Sequence, residues 1–240
     1  MAETELKAEL IKYTNDPEQT IALAAKLCYS DSDIQNLKTD IESKDISGFI
    51  KKLLSLGHLS TMEHASFTFG IEGVSRALLA QITRHRIASF SVKSQRYVRA
   101  ENFNYIIPPA IKNLGKDAVS EFNRQMKVIQ GFYDGWLEKL EDGEKGNEDA
   151  RFVLPNASET KFLLTMNARE LMHFFELRCC NRAQWEIREL AWQMLKLVNK
   201  VAPTIFSLSG PSCVFKNCGE GKMSCGKMLQ IKEKRLNLNS

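Results

Sequence analysis

Arginine side chains are concentrated in two short stretches of this sequence. Ten of the 12 arginines lie in residues 76–99 or 151–188, five in each stretch, and none precedes Arg76. Residues 76–99 contain no Asp or Glu and, with Lys93, carry a formal charge of +6. Guanidinium groups at this density suit anions, above all phosphate oxygens, which they bind in a bidentate manner. The two stretches are therefore the first candidates for a site that performs chemistry.

The densest basic element is Arg84-His85-Arg86, which is followed by a serine-rich run that includes Ser94 and then by Arg96. Closely spaced hydroxyls and guanidinium groups favour the binding of phosphate or pyrophosphate. A purely structural role is the alternative, because basic residues at a helix C-terminus interact favourably with the helix dipole. The lack of acidic neighbours favours the anion site.

Other motifs for chemistry are weak or missing. The sequence has no complete G-x-x-x-x-G-K-[ST] phosphate loop and no G-x-S-x-G serine elbow. His58 and His64 are weak zinc candidates, because a histidine in a loop more often packs or caps. The cysteines at positions 213, 218 and 225 are spaced C-x4-C-x6-C, which matches no standard zinc pattern. We expect reduced thiols and no metal site.

Two strand-then-helix units position the arginine stretches. Residues 67–71 alternate with period two, which predicts a half-buried strand, and the apolar positions over 74–82 then change to helical spacing. Residues 160–166 and 168–178 repeat this order, and both units end on basic residues. The repetition predicts that the two units line a single site.

The remaining pattern is mainly helical. Capping and apolar spacing predict further helices that begin at Pro17 and cover residues 46–56, 117–140 and 184–201. Residues 87–105 are predicted to be an ordered loop and residues 138–149 a surface turn. The fold class that follows is α+β, with a central antiparallel-type sheet flanked by long helices and a single domain per subunit.

Composition limits the partners and the location. The net charge of +4 is too small to argue for nucleic acid, and no apolar run approaches the ~18 residues of a membrane span. Residues 1–5 lack the basic and apolar regions of a secretion signal. We therefore expect a cytoplasmic protein that binds neither membranes nor nucleic acid.

Two functions other than a small-molecule anion site fit parts of the sequence pattern. Arginines interleaved with Phe90, Tyr97 and Phe103 are typical of a surface on which single-stranded nucleic acid stacks its bases. His58, Glu63 and His64 suggest a metal-dependent phosphohydrolase, but the Asp-rich ligand set that this activity needs is missing.

The basic element resembles the signature of the flavin-dependent thymidylate synthases. That signature is R-H-R, seven residues and a serine, which here is Arg84-His85-Arg86 followed by Ser94. The resemblance covers residues 20 to 205, approximately, and includes further segments in the same order. These are Gly57-His58, Glu63-His64, Gln81, Arg96-Tyr97, Arg151–Pro155, Asn167–Leu171, Glu176–Arg178 and Ala183–Ile187.

The resemblance implies an enzyme that methylates dUMP to dTMP. Methylenetetrahydrofolate would supply the one-carbon group, and FAD reduced by NADPH would supply the hydride. Members of the family are homotetramers with active sites built from more than one subunit, and we expect the same here. Residues 1–208 would form the synthase domain and residues 209–240 a C-terminal tail rich in Cys, Lys and Gly, to which we assign no role.

The resemblance also implies roles for single residues. Arg178 would be catalytic, because a cation beside the uracil ring favours the state in which C5 is electron-rich. His58 would lie near the flavin and folate, and Ser94 would bind dUMP rather than attack it. The expected FAD-binding residues are Ser60, Arg84, His85, Arg86, Asn167, Ala168, Arg169 and His173. The expected dUMP-binding residues are Gln81, Ile82, Thr83, Arg84, Val92, Lys93, Ser94, Gln95, Arg96, Arg151 and Arg178.

Four positions need separate comment. Val92 stands where many relatives have Glu, so only backbone contacts with dUMP are expected there. His173 stands where Asn is common. Cys179 and Cys180, next to Arg178, are interpreted as packing residues, because buried cysteine behaves as a small hydrophobic side chain.

Overall fold

The structure is a computed structural model that describes residues 1–140 and 142–239. Its four strands form one antiparallel sheet in the order β1-β2-β4-β3. The strands are β1 Lys7–Tyr13, β2 Ser66–Ser75, β3 Ala88–Val92 and β4 Glu159–Asn167. Helices flank this sheet, so the predicted α+β class is confirmed.

The helices differ widely in length. Those before β4 are α1 Pro17–Leu27, α2 Ile34–Glu42, α3 Ser47–Ser55, α4 Arg76–Ile82, α5 Pro109–Asn113, α6 Lys116–Leu137 and α7 Glu144–Ala150. Those after it are α8 Ala168–Arg178, α9 Trp185–Val201, α10 Ser212–Phe215 and α11 Met228–Leu236. Short 3-10 turns occupy Ser60–His64, Arg151–Val153, Gly221–Met223 and Asn237–Asn239. In the part of the chain that the structure describes, no helix combines the length and apolarity needed to cross a bilayer.

Both strand-then-helix units are confirmed, and each has a capping side chain at its joint. The Ser75 hydroxyl accepts a hydrogen bond from the Leu78 N–H at 3.0 Å, which caps α4. The Asn167 side chain accepts one from the Glu170 N–H at 2.9 Å, which caps α8. These caps satisfy N–H groups that have no partner within the first helical turn. Each helix therefore begins directly where its strand ends.

Two local predictions are wrong. The predicted loop over residues 87–105 contains β3, and the predicted surface turn over residues 138–149 contains α7. β3 is only five residues long, and it is stabilised by pairing with β4 rather than by its own sequence. In α7 the Asn147 side chain is buried and donates to the Arg96 carbonyl at 3.0 Å. Both elements depend on distant parts of the chain, which local patterns do not report.

The chain divides into two compact units, each made of several stretches. Unit 1 comprises Met1–Lys7, Ile71–Arg84 and Phe90–Leu163, and unit 2 comprises Ala8–Gly70, His85–Ser89 and Leu164–Ser240. Unit 1 buries one cluster around Phe103, Tyr105 and Met126 and another around Tyr133 and Leu137. Unit 2 buries a group of aromatic rings in which Phe206 packs 5.3 Å from Phe67 and 6.0 Å from Phe175. The expected division at residue 208 stays a prediction.

One glycine in unit 1 is required by a close backbone approach. Gly73 in β2 has φ +67°, and a Cβ at this position would lie 1.9 Å from the Glu5 carbonyl oxygen. Any larger residue would both clash with that oxygen and strain the backbone. Gly73 therefore permits the N-terminal segment to lie against β2.

The C-terminal segment of unit 2 is folded. α10 and α11 follow the long helix α9, and Ile231 and Arg235 of α11 are buried. Lys234 lies over the Trp192 ring of α9, with Nζ 4.7 Å from the ring centroid. The sequence left the order of this segment open, and the structure shows that it packs on the body of unit 2.

Candidate functional site

A large cavity lies within unit 2 and has a volume of about 910 Å³. Its lining comes mainly from residues 54–59 at the end of α3, residues 167–176 at the start of α8 and along it, and residues 205–216 after α9, with Glu63 and Ile87. The volume falls within the ~300–1,000 Å³ typical of small-molecule and cofactor sites. The lining mixes apolar side chains such as Leu59 and Met172 with polar ones such as Asn167 and Arg169. This composition suits a ligand with both ring systems and charged groups.

The N-terminal turn of α8 provides the polar end of the cavity. Asn167, Arg169 and His173, all expected FAD-binding residues, line it. The Ala168 N–H donates to the Ala65 carbonyl at 2.8 Å, and the Arg169 guanidinium pairs with Glu63. The N-terminus of an 11-residue helix combined with an arginine favours the binding of an anion.

The expected residues before β2 lie at the edge of the same cavity. Gly57 and Leu59, on either side of His58, line it, and the His58 side chain is exposed. Gly57 has φ +74°, a conformation that favours glycine and turns the chain after α3. Ser60 is exposed at the start of the next 3-10 turn. Arg86 is exposed as well, and its neighbour Ile87 lines the cavity.

Beside the cavity, three charged or titratable side chains form a buried chain. His85 Nδ1 lies 2.9 Å from Glu170 Oε1, and the Arg178 Nε donates to His85 Nε2 at 3.1 Å. His85 is 5% exposed and Glu170 is 7% exposed. Glu170 also lines the cavity, so the chain of contacts runs from the cavity wall through the imidazole to Arg178.

This geometry fixes the protonation of His85. Because the Arg178 Nε–H is a donor only, His85 Nε2 must accept with its lone pair. The imidazole proton is then on Nδ1, where it is donated to the Glu170 carboxylate. Burial lowers the pKa of His85, and the positive charge of Arg178 lowers it further, against the opposing effect of Glu170. His85 is therefore a neutral connector between a carboxylate and a guanidinium.

The depressed pKa of His85 predicts a loss of stability at acidic pH. Unfolded His85 takes up its proton at the ordinary pKa of 6.5, and folded His85 does so only at lower pH. The unfolded state therefore binds more protons as the pH falls below 6.5, and the free energy of unfolding decreases. When the pH falls from about 7.5 to about 5.5, the free energy of unfolding should decrease less in His85→Gln than in the wild type.

Urea unfolding at the two pH values measures the difference. His64→Gln is the matched control, because His64 is an exposed histidine of the same unit. Its pH dependence should equal that of the wild type. An equal pH dependence in His85→Gln would contradict the neutral state assigned to His85.

Unit 1 contains most of the expected dUMP-binding residues. Ser94 Oγ accepts hydrogen bonds from the N–H groups of Arg96 at 3.1 Å and Tyr97 at 3.4 Å, which closes a turn directly after β3. Arg96 forms ion pairs with Glu144 at 2.6 Å and Glu148 at 3.0 Å, both on α7. These ion pairs are partly exposed and therefore weak, so a phosphate can compete for the guanidinium.

A second basic group of unit 1 lies at the start of α4. Arg76 and Arg151 are both half-buried; burial lowers the pKa of Arg76, and the positive charge of Arg151 lowers it further. Two guanidinium groups that repel one another in this way favour an anion between or beside them. The Arg151 Nε donates to the Glu148 carbonyl at 3.1 Å, which orients its side chain.

The other expected dUMP residues flank these groups. At the end of α4, Gln81 is half-buried, Ile82 is buried, and Thr83 and Arg84 are exposed. The Lys93 N–H donates to the Lys161 carbonyl of β4 at 3.0 Å, which joins the residue after β3 to the sheet. The last residue of β3 and the four residues directly after it are half-buried: Val92, Lys93, Ser94, Gln95 and Arg96. Of the whole expected dUMP set, only Arg178 belongs to unit 2.

Sequence reasoning missed two parts of the site. The first is Glu170 as the partner of His85. Glu170 follows the capping residue Asn167 by three positions, and this spacing indicates the start of a helix but does not indicate a contact with His85. The cavity wall over residues 205–216 has no sustained period and carried no signal at all. Arg76 belongs to the arginine-rich stretch, but the resemblance did not place it in the site.

The cysteines differ in exposure, from the buried Cys179 and Cys213 to the exposed Cys28 and Cys225. Cys179 is buried, in agreement with its interpretation as a packing residue, and Cys225 Sγ accepts from the Asn181 side chain at 3.7 Å. Within residues 1–140 and 142–239, no three His, Cys, Asp or Glu side chains are arranged to hold a metal ion.

Comparison with known proteins agrees with this geometry. The sequence model of the family described as "Thymidylate synthase complementing protein" matches residues 9–204. A flavin-dependent thymidylate synthase from Geobacter sulfurreducens is 51% identical, over 95% of this chain and 97% of that protein. One from Clostridium tetani is 49% identical, over 95% of this chain and 96% of that protein.

A solved structure has the same fold. It is the crystal structure of the UMP/dUMP methylase PolB from Streptomyces cacaoi bound with 5-Br dUMP. The TM-score is 0.74 at 25% sequence identity, with 87% of this chain and 97% of that chain covered. Together with the match over residues 9–204 and the near full-length relatives, this likeness shows that the chain belongs to the flavin-dependent thymidylate synthase family.

Proposed function

We propose that this chain methylates dUMP to dTMP, with methylenetetrahydrofolate as the one-carbon donor and FAD reduced by NADPH as the hydride source. The observation that carries the proposal is the buried contact chain from Glu170 through His85 to Arg178 beside a cavity lined by expected FAD-binding residues. The family relatives support a flavin and a thymidylate product. The finer identities of the co-substrates come from the resemblance of the sequence.

The cavity of unit 2 fits FAD in size and in the chemistry of its lining. The N-terminal turn of α8, with Asn167, Ala168 and Arg169, suits the pyrophosphate, because the positive end of the helix dipole and the Arg169 guanidinium both favour an anion. Apolar side chains such as Leu59 and Met172 suit the faces of aromatic rings. His173 lines the cavity and completes the group that would hold the cofactor, with Ser60, Arg84, His85 and Arg86. When bound, FAD supplies hydride transfer, which no amino-acid side chain can perform.

The basic groups of unit 1 would bind dUMP. Arg96, Arg151 and Arg76 offer guanidinium groups for its phosphate, and the Ser94 hydroxyl can donate to the nucleotide while it still accepts from the backbone. Phosphate binding would replace the exposed ion pairs between Arg96 and α7. This exchange costs little, since exposed pairs contribute about 0–1 kcal/mol.

Arg178 would activate the uracil ring. A guanidinium stays charged at neutral pH and can make two parallel hydrogen bonds, so it can stabilise the N3-ionised form in which C5 carries electron density. In this form C5 would attack the methylene carbon of methylenetetrahydrofolate while one carbon–nitrogen bond of the folate breaks and its electron pair goes to that nitrogen. The C5 proton would leave later, and the second carbon–nitrogen bond would break before the hydride completes the methyl group. His85 and Glu170 act through Arg178: they hold its Nε and thereby orient the guanidinium plane.

Two measurements test the proposal. The purified protein should be yellow, and dTMP should form only when dUMP, methylenetetrahydrofolate and NADPH are all supplied. Omission of any one of them is the control. A colourless protein that cannot be reconstituted with FAD, or one that forms no dTMP with all three present, would contradict the proposed function.

The assembly and location follow from the resemblance. We propose a cytoplasmic homotetramer with active sites shared between subunits. Light scattering coupled to size-exclusion chromatography should give a mass about four times that of the 27.3 kDa chain.

Replacing Ser94 by alanine should weaken dUMP binding but leave turnover measurable. The change removes a hydrogen bond to a charged ligand, worth about 1.5–3 kcal/mol, which corresponds to roughly 10- to 150-fold in Kd. It also removes the acceptor that closes the turn at Arg96 and Tyr97. Isothermal titration with dUMP measures the loss. Abolished chemistry with unchanged dUMP affinity would instead indicate a nucleophilic serine.

A further inference from the structure

Arg235 is a buried cation near the C-terminal end of α11, and it is 8% exposed. Its Nε donates to the Ser209 carbonyl at 2.8 Å, and its Nη2 donates to the Phe206 carbonyl at 2.8 Å. Nη2 also lies 3.3 Å from Asn199 Oδ1 and 3.4 Å from the Ser207 carbonyl oxygen. All four acceptors are neutral oxygens. The charge of Arg235 is therefore stabilised by peptide and amide dipoles.

Three of the acceptors, the carbonyls of Phe206, Ser207 and Ser209, belong to the segment that leaves α9. The chain continues through tight turns, in which the N–H groups of Phe206 and Ser209 donate to the carbonyls of Ala202 and Phe206 at 3.2 and 3.0 Å. Carbonyl groups at such turns leave oxygen lone pairs that a cation can satisfy. Burial lowers the pKa of Arg235, but an arginine remains charged at neutral pH.

The same segment forms one wall of the unit 2 cavity. Ile205, Leu208, Ser209 and Gly210 all line the cavity. Gly210 has φ +136°, and a Cβ on it would lie 3.7 Å from the Arg235 Cδ. Arg235 therefore packs directly behind the wall and holds it through its backbone carbonyls.

We infer that Arg235 is a positioning residue for the cofactor cavity: by binding the carbonyls of Phe206, Ser207 and Ser209, it fixes the wall over residues 205–210 and so raises the affinity for FAD. The inference rests on the proposed function, because it takes FAD as the ligand of this cavity. Arg235 lies outside residues 9–204, which the family model matches. The C-terminal segment, expected from sequence to be a tail, thus becomes part of the binding machinery.

An arginine is needed at this position. Its planar group carries five N–H donors and can satisfy several carbonyls at once. A lysine at the same place would keep the charge, but its single nitrogen cannot reach the carbonyls of Phe206, Ser207 and Ser209 in the way that the two nitrogens of Arg235 do. The wall would then keep part of its support, so lysine should give an intermediate effect.

FAD titration into the flavin-free, full-length protein, followed by flavin fluorescence, tests the inference. We expect Arg235→Met to raise the Kd for FAD ~10-fold or more, and Arg235→Lys to raise it about 3-fold or more. Lys234→Met is the matched control. It removes the same charge from the neighbouring position of α11, where the side chain is exposed and contacts Trp192 instead of the wall. The Kd of this control should stay within about 2-fold of the wild type.

A second measurement distinguishes a specific effect on the cavity wall from a general loss of structure. The Kd for dUMP, measured at saturating FAD, should change less than about 2-fold in both Arg235 variants, because the expected dUMP residues lie mainly in unit 1. Equal losses of FAD and dUMP affinity would contradict a specific role in the cavity.

The outcomes distinguish the two proposals. If the wild type binds no FAD, the proposed function fails and the inference fails with it. If the wild type binds FAD and Arg235→Met binds it equally well, only the inference is overturned. Should Arg235→Met not fold, unchanged FAD affinity in Arg235→Lys overturns the inference in the same way.

Discussion

Arg178→Lys should lower the rate of dTMP formation at least ~100-fold while the protein still binds flavin and oxidises NADPH. Loss of one preorganised group that stabilises developing charge costs roughly 2.7–4 kcal/mol in the transition state. Lysine keeps the positive charge but has a single nitrogen. It cannot donate to His85 Nε2 and at the same time make a bidentate contact with the uracil ring.

The measurement is single-turnover formation of dTMP alongside NADPH oxidation in the absence of dUMP. Arg182→Lys is the matched control, since Arg182 follows α8 closely and its ion pair with Glu220, at 3.4 Å, is exposed. It should behave as the wild type in both assays. Near-normal dTMP turnover in Arg178→Lys would remove Arg178 from the catalytic role.

Glu170→Gln should lower the rate of dTMP formation by roughly 10- to 100-fold, because it changes which groups donate and which accept in the contact chain from Glu170 through His85 to Arg178. The carboxylate accepts from His85 Nδ1–H and so keeps the Nε2 lone pair directed at Arg178. A glutamine amide can donate to Nδ1 instead. The imidazole proton would then move to Nε2, where it meets the Arg178 N–H.

The dependence on pH identifies this effect as one of positioning. Loss of the carboxylate removes the interaction that raises the pKa of His85, so His85 should stay neutral to lower pH in the variant than in the wild type. The acidic limb of the kcat profile should accordingly move to lower pH, with the maximal rate reduced. Glu189→Gln is the control, since Glu189 is an exposed carboxylate of α9 that accepts from Gln193 at 3.3 Å. A Glu170→Gln rate equal to that of the wild type would show that Arg178 does not depend on His85 for its orientation.

The strand-then-helix units show what local sequence determines. β2 with α4 and β4 with α8 are both predicted, because apolar periodicity acts over only a few positions. The caps that the structure shows at Ser75 and Asn167 are equally local, since each joins residues three positions apart. The donor and the acceptor of such a hydrogen bond are close together in the sequence, so a local pattern contains both. The basic element and its spacing to Ser94 likewise indicate the family without any structure.

Short elements show where local reasoning fails. The five residues of β3 and the seven of α7 carry weak patterns of their own. Pairing with β4 stabilises β3, and contacts with Arg96 stabilise α7. Isolated short strands and helices are marginal in water, so packing decides whether they form.

The sequence alone determined the fold class, the two strand-then-helix units and the family, and it predicted the residues of the site. Tertiary structure decided how those residues act. Glu170 and His85 are 85 positions apart and His85 and Arg178 are 93 apart, so only folding brings their side chains into one buried chain. The cavity wall held by Arg235 has the same origin, because its contacts with Ser209 and Phe206 span 26 and 29 positions. Periodicity reports neighbours within one helical turn or strand, whereas these contacts depend on the packing of whole elements.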